Sequence, residues 1–297
     1  MTEITSTTGF GDQAASSTID LPDGIRNLRR RLSPGSEAMR MLLEQPFGHE
    51  VIESGVLRTP NSNVVFKHVE KIGCTSVKRA LINHMYPGAL DLPVEKYHHG
   101  QHATTFDIIH NISHEVLRMV VSENILEHCV WVTFCRNPYD RLKSCYRDKV
   151  VGTRASEREY TNYIRREILF SEMRNSTYRR ENFNADGIPS FQSFIRFACN
   201  PASPSDIHWR PQLLLNAADL ASNLKLVRFE NFSQDLERIF SEDLGIETQF
   251  SKRDNSTESK TESHQLELNE ELAQLIFEFY RCDFEFFDYQ KDSWKLS

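Results

Sequence analysis

The stretch NVVFKHVEKIGCTSVKRAL, residues 63–81, decides the fold. Its first part, Val64 to Phe66, is apolar and β-branched, which predicts a buried strand. A turn containing Gly73 follows, and residues 76–85 have the pattern of a helix. A strand that runs through such a turn into a helix presents unpaired N–H groups and the positive end of the helix dipole. The stretch therefore predicts a phosphate-binding turn.

A second segment of the same kind follows the apolar run from Cys129 to Cys135. That run predicts a buried parallel strand, and it leads directly into RNPYDRLKSCYRDK, residues 136–149. Pro138 suits the first turn of a helix. Ligands of open α/β sheets bind at the carboxyl ends of strands. Arg136 and Ser144 are therefore predicted to offer a guanidinium fork and a hydroxyl to a second phosphate.

Strands alternate with helices along the chain, which predicts an α/β fold. We expect a three-layer, P-loop-like architecture with a central, mainly parallel sheet flanked by helices. Residues 1–35 are expected to be a mobile N-terminal segment and residues 36–297 a single domain. Within that domain, residues 251–264 are expected to form a disordered loop. The arginine-rich stretch 154–182 is either a solvated helix or a surface for an anionic acceptor.

Charge and composition restrict the class of partner. The formal net charge is −7, so the chain has no general attraction for nucleic acid or for an anionic membrane. No run of 18 apolar residues predicts a membrane span, and the polar N-terminus lacks an apolar signal core. The six cysteines have neither CxxC nor zinc spacing, so no metal site is expected.

The two motifs together resemble the PAPS-dependent sulfotransferases, in particular the carbohydrate sulfotransferase branch (sulfotransferase family 2). PAPS is 3′-phosphoadenosine 5′-phosphosulfate. EKIGCTSVK, residues 70–78, resembles the family loop that binds the 5′-phosphosulfate, with Glu70 in place of the family's proline. RNPYDRLKSCYRDK resembles the family segment that binds the 3′-phosphate. Four further segments are similar and occur in the family's order, namely PSFQSFIRF (189–197), HWRPQ (208–212), LVRFENFSQDL (226–236) and FYRCDFEFFDY (279–289).

The resemblance implies a reaction and its donor. The family moves a sulfuryl group from PAPS to an acceptor hydroxyl by in-line displacement and releases PAP, without a metal ion. A carbohydrate or glycoconjugate is the implied acceptor. Lys71 would stabilise the leaving oxygen, and the 3′-phosphate contact would discriminate PAPS from ATP. The implied donor-binding residues are Lys71, Gly73, Cys74, Thr75, Ser76, Lys78, Arg136 and Ser144.

A general base should remove the proton of the acceptor hydroxyl, and histidine suits this role near neutral pH. In a related uronyl branch a similar histidine stretch carries the base, which implies His99 and His102 here. The alternative is that each is an ordinary loop residue. Glu230 is read either as a base or as a buried structural carboxylate paired with an arginine. The implied acceptor-binding residues are His98, His208 and Trp209, the last two alternatively being core residues.

Two other functions remain open. A nucleotide kinase-like P-loop enzyme would need a GxxxxGK[ST] loop, which residues 70–78 do not provide. The interpretation as a catalytically inactive nucleotide-binding protein is supported only by Glu70.

Location, acceptor and assembly are less constrained. Without an evident anchor, the expected location is the cytoplasm of a bacterium. Animal members of the branch are anchored Golgi enzymes, so the Golgi lumen is the alternative if the chain is part of a longer protein. The expected partners are PAPS and a hydroxyl-bearing acceptor. The identity of the acceptor and the oligomeric state are left open.

Overall fold

Five strands form a single sheet in the part of the chain that the structure describes. The computed structural model describes residues 53–58, 64–67, 69–72, 109–113, 130–152, 158–204, 206–216, 218–247 and 266–296. The strands lie in the order β3-β1-β2-β4-β5. Their bounds are β1 Glu53–Arg58, β2 Val64–Lys67, β3 Ile109–Ser113, β4 Val130–Cys135 and β5 Leu224–Arg228.

The sheet is mixed. β4 lies parallel to β2 and β5, with Phe66 opposite Val132 and Phe134 opposite Val227. β1 runs antiparallel to both β2 and β3. The prediction of a mainly parallel sheet is therefore right only for the half that holds the two motifs. The short strands β1 and β3 have the mixed sequences ESGVLR and IHNIS, which lack a clear strand pattern, so their pairing depends on tertiary context.

The helices lie mostly in the second half of the chain. Asn137 caps the first helix by accepting from the N–H of Tyr139, with Pro138 in the first turn as predicted. This helix continues into a wider turn, Tyr146–Val150, closed by an i→i+5 bond from Val151 to Tyr146. The α-helices are α1 Pro138–Cys145, α2 Arg158–Arg174, α3 Phe191–Ala198, α4 Gln212–Asn216, α5 Phe232–Leu244, α6 Glu270–Phe279 and α7 Arg281–Phe286.

The two largest apolar clusters among the described residues stabilise the fold. One joins the sheet to α5, where Phe66 contacts Phe240. The other is helical and joins α1, α2, α3, α6 and α7. Phe134 belongs to the first cluster and Tyr139 to the second. The junction between β4 and α1, where Arg136 lies, is therefore fixed from both sides.

The last helical region consists of two helices. It is divided into α6 and α7 at Tyr280, whose backbone leaves helical geometry. The buried hydroxyl of Tyr280 donates a hydrogen bond to the carbonyl of Trp209. None of the helices in the described ranges combines the length and the apolar character needed to cross a membrane.

Candidate functional site

The turn after β2 brings Lys71 against the second motif. Lys71 has φ 72°, in the left-handed region that costs a non-glycine residue roughly 1–2 kcal/mol. Its carbonyl accepts a hydrogen bond from Nη1 of Arg136 at 3.2 Å. Its ammonium pairs with Asp148 at 2.9 Å, in the wider turn after α1. The two motifs predicted from sequence therefore meet at the carboxyl ends of the neighbouring strands β2 and β4.

Arg136 is held firmly but retains an unused donor. The side-chain amide of Gln212 bonds both to its N–H and to its carbonyl, each at 2.9 Å. Its guanidinium lies 4.2 Å from the centre of the Phe229 ring. Burial lowers the pKa of Arg136, while the nearby Asp140 carboxylate acts in the opposite direction. Nε is buried and has no partner among the described residues, which is unusual for a buried polar atom.

Further basic side chains surround Ser144 on the next turns. The Ser144 hydroxyl is partly exposed and makes no hydrogen bond with the residues described. Arg147 has a second buried Nε without a described partner. Its charge adds to the lowering of the pKa of both Arg136 and Lys143. Like charges with unused donors favour an anion, which would relieve their repulsion. The sequence interpretation omitted Lys143 and Arg147, although their spacing of four around Ser144 was a signal.

Arg141 belongs to the same motif but has a structural role. It is 1% exposed. Its guanidinium donates to the carbonyls of Glu70 at 3.3 Å, Arg210 at 2.7 Å and Ile207 at 2.8 Å. It therefore connects the Lys71 turn to the HWRPQ segment.

Glu230 supports the start of α1. It is exposed rather than buried, because it lies in a short turn directly after β5. One carboxylate oxygen accepts from the N–H of Asn137 at 2.9 Å, and the other from the hydroxyl of Tyr289 at 3.0 Å. The expectation of a buried carboxylate paired with an arginine is therefore wrong. Both oxygens stabilise the helix start that presents Arg136.

The HWRPQ segment places its two aromatic residues differently. Trp209 is 2% exposed, donates to the Pro204 carbonyl at 3.1 Å and packs edge-on against Phe194. This burial leaves no ring face for a sugar, so the expectation that Trp209 binds the acceptor is corrected to a core role. His208 is only half-buried and its Nδ1 lies 2.5 Å from Asp206.

Several predicted site residues lie outside the described residues, so their roles remain predictions. These are Gly73, Cys74, Thr75, Ser76 and Lys78 of the donor loop, and His98, His99 and His102. Among the residues that the structure does describe, no group of three or more His, Cys, Asp or Glu side chains is arranged to hold a metal ion.

Comparison with known proteins identifies the family of the chain. The profile of the Sulfotransferase family matches residues 54–290, which contain both motifs and the HWRPQ segment. The chain belongs to the sulfotransferase family. This sulfotransferase is 23% identical to human carbohydrate sulfotransferase 9 over 239 residues, which are 76% of the chain and 51% of the relative. It is 22% identical to rat and mouse carbohydrate sulfotransferase 11 over 286 residues, which are 90% of the chain and 74% of each relative.

The chain thus spans about half the length of the human relative. No solved structure gives a significant match, so the P-loop-like detail of the predicted fold stays an expectation. The expectation that this sulfotransferase is a bacterial cytoplasmic enzyme is wrong on these comparisons. The similar proteins are mammalian carbohydrate sulfotransferases. Animal members of that branch are Golgi enzymes, not bacterial cytoplasmic ones.

Proposed function

We propose that this sulfotransferase moves the sulfuryl group of PAPS to a carbohydrate hydroxyl and releases PAP. The acceptor oxygen would form a bond to sulfur as the bond between sulfur and the 5′-phosphate oxygen breaks. Such in-line transfer depends mainly on positioning and on stabilising the charge of the leaving phosphate. The acceptor class is taken from the similarity to mammalian carbohydrate sulfotransferases.

One observation carries the proposal. Two basic motifs, separated by more than 60 residues in the chain, meet at the carboxyl ends of β2 and β4 through the bond from Arg136 to the Lys71 carbonyl. PAPS carries phosphate groups at two ends of its ribose, so it needs two anion sites at adjoining positions. The unused buried Nε atoms of Arg136 and Arg147 are donors suited to such a ligand.

The roles follow from position. Lys71, whose ammonium now pairs with Asp148, would turn to the leaving oxygen. Arg136 and Ser144 would hold the 3′-phosphate, assisted by Lys143 and Arg147. Gly73, Cys74, Thr75, Ser76 and Lys78 would form the cradle of the 5′-phosphosulfate.

The 3′-phosphate separates this proposal from its alternatives. A nucleotide kinase-like enzyme would bind ATP or ADP with magnesium and would gain nothing from a 3′-phosphate. An inactive nucleotide-binding protein could bind PAP but would not turn over PAPS with any acceptor.

Calorimetric titration with PAP and with ADP, in buffer containing EDTA, tests the proposal. We expect PAP to bind about 100-fold more tightly than ADP, because hydrogen bonds to a charged group contribute about 1.5–3 kcal/mol. Arg136→Ala and Ser144→Ala should reduce this preference. Arg238→Ala is the control, because Arg238 is an exposed arginine that pairs with Asp235 at 3.7 Å.

Equal binding of PAP and ADP, or no binding of PAP, would reject the proposal. Magnesium-dependent binding of ATP would then favour the kinase-like alternative.

A further inference from the structure

A compact polar cluster lies beside the donor site and has no role in the function proposed so far. It consists of Asp206 and His208, from the segment before α4, and Tyr160, from the first turn of α2. One oxygen of Asp206 lies 2.5 Å from Nδ1 of His208 and also accepts the backbone N–H of His208 at 2.9 Å. The other oxygen accepts from the Tyr160 hydroxyl at 2.5 Å.

The cluster keeps Asp206 ionised. Burial opposes the charged form, but the hydrogen bonds from His208 and Tyr160 outweigh burial and hold the pKa of Asp206 below its ordinary value. A carboxylate against Nδ1 selects the imidazole tautomer that carries its hydrogen on Nδ1. The lone pair of Nε2 is then free to accept a proton.

The His208 side chain is not fully buried. The His208 side chain is 16% exposed, against 9% for Asp206. Within the described part of the chain, His208 makes no hydrogen bond other than those to Asp206 and Tyr160.

Arg141 fixes this histidine relative to the donor turn. It bonds to the carbonyls of Ile207 and Arg210, which flank His208, and to the carbonyl of Glu70, which precedes Lys71. The two segments are therefore attached to the same guanidinium.

A second path of contacts reaches the cluster from the ammonium of Lys71. Lys71 pairs with Asp148 at 2.9 Å, and Asp148 lies 3.3 Å from Lys149. The Lys149 ammonium lies 5.5 Å from the centre of the Tyr160 ring. Among the described residues, Asp206 and Tyr160 thus face His208 directly, and Lys149 lies against the Tyr160 ring.

We propose that His208, oriented by Asp206 and Tyr160, is the general base that removes the proton of the acceptor hydroxyl. The inference rests on the proposed function. As the acceptor oxygen bonds to sulfur, its proton passes to Nε2 and the electron pair of the breaking bond remains on the 5′-phosphate oxygen. The imidazolium then returns the proton to solvent. Asp206 is a positioning residue, because it acts only through His208.

The first test compares His208→Gln and Asp206→Asn with His99→Gln and His102→Gln. Transfer of ³⁵S from PAPS is measured with a panel of nitrophenyl glycosides of hexoses, hexosamines and uronic acids. Loss of a general base costs about 10²–10⁴-fold in rate, so His208→Gln should lose at least about 100-fold in kcat. Its PAP affinity, measured by calorimetry, should stay within about twofold, because the inference assigns His208 to the acceptor and not to the donor.

The pH profile separates a base from a structural residue. The acid side of the wild-type kcat profile should follow a single protonation and should vanish in His208→Gln. Imidazole added to His208→Ala should restore part of the rate. Asp206→Asn should lose about 10-fold or more in kcat with little change in KM, because the tautomer is no longer selected.

A second measurement needs no acceptor. Nitrogen-15 NMR of histidine-labelled wild-type protein should show one histidine tautomer with its hydrogen on Nδ1, and this signal should disappear in His208→Gln. Hydrogen on Nε2 at pH 8 would overturn the inference.

Retention of kcat within about threefold in His208→Gln, or a loss confined to His99→Gln or His102→Gln, would also overturn it. Failure of the wild type to bind PAP would instead reject the proposed function, so the two failures are distinguishable.

Discussion

Lys71 combines a strained backbone with a charged side chain. Its φ of 72° is one that glycine adopts without penalty, yet the position carries a lysine whose ammonium reaches Asp148. Strain of this kind is concentrated at functional sites, where the surrounding structure maintains it. The strained turn therefore supports the proposed role of the Lys71 amine.

Two substitutions separate the effect of the Lys71 charge from that of its strained backbone. Lys71→Ala and Lys71→Gly should both lower kcat by about 100-fold or more, because both remove the charge at the leaving oxygen. PAP binding should remain measurable in both. Lys71→Gly should be more stable than Lys71→Ala by about 1 kcal/mol in urea unfolding, since glycine removes the left-handed penalty. Unchanged turnover in Lys71→Ala would reject the catalytic role, and equal stabilities would reject the strained turn.

Sequence reasoning reached some residues of this site and not others, for physical reasons. Arg136 was identified because it directly follows a recognisable buried strand. Arg141, five residues later, is equally basic, and only the three carbonyls around its guanidinium reveal a structural role. Trp209 could be read from the sequence either as an acceptor contact or as a core aromatic, because the packing of Phe194 against it joins distant parts of the chain. Long-range contacts of this kind leave no local pattern.

Among the elements, the wider turn Tyr146–Val150 carries Asp148 to Lys71. Gly152 makes this turn possible, since a Cβ at that position would lie 2.0 Å from the carbonyl oxygen of Asp148. Insertions of this type in helices are often found at functional sites.

Gly152→Ala should therefore displace the turn and move Asp148. We expect the free energy of unfolding to fall by about 1–3 kcal/mol and PAP affinity to fall as well. The control is Gly245→Ala at the end of α5, where φ is 68° and no atom lies within 4 Å of the added Cβ. That control should cost about 1 kcal/mol and leave PAP binding unchanged. Wild-type PAP affinity in Gly152→Ala would disconnect the turn from the site.

Helices and strands could be predicted from the sequence only where their own residues form a clear apolar pattern. β2 and β4 are apolar runs, and the sequence predicts them within one residue of their observed bounds. β1 and β3 were missed, because their antiparallel pairing is a property of the assembled sheet. The break at Tyr280 was missed because its cause is a hydrogen bond to Trp209, 71 residues away.

In the whole molecule, Arg141 links the two apolar clusters. It lies on α1, among residues of the helical cluster, and bonds to the Glu70 carbonyl next to Val69 of the sheet cluster. The buried side chain of Arg141 therefore sets the position of the Lys71 turn relative to the HWRPQ segment.

Arg141→Met should lower the free energy of unfolding by about 3–5 kcal/mol, since three carbonyls lose their charged donor. Urea unfolding of the variant measures this loss, and Arg141→Lys is a milder alternative if the protein does not accumulate. The control Arg238→Met changes an exposed arginine and should stay within about 0.5 kcal/mol of wild type. A loss of similar size in both variants would contradict the linking role.

The side-chain amide of Gln212 provides the hydrogen bonds that a neighbouring strand would otherwise make with Arg136. Its amide gives Arg136 one acceptor and one donor, the same pair that a neighbouring peptide group would offer, at a point where β4 has just ended. The residue is wholly buried, and Asp283 accepts from its backbone N–H at 2.8 Å. Glutamate lacks the donor and leucine lacks both groups, so neither could imitate a peptide. If substitutions at position 212 are not tolerated, the reason is thus that the backbone groups of Arg136 need a partner. This need does not depend on the acceptor, so variants with a different acceptor should still keep the glutamine.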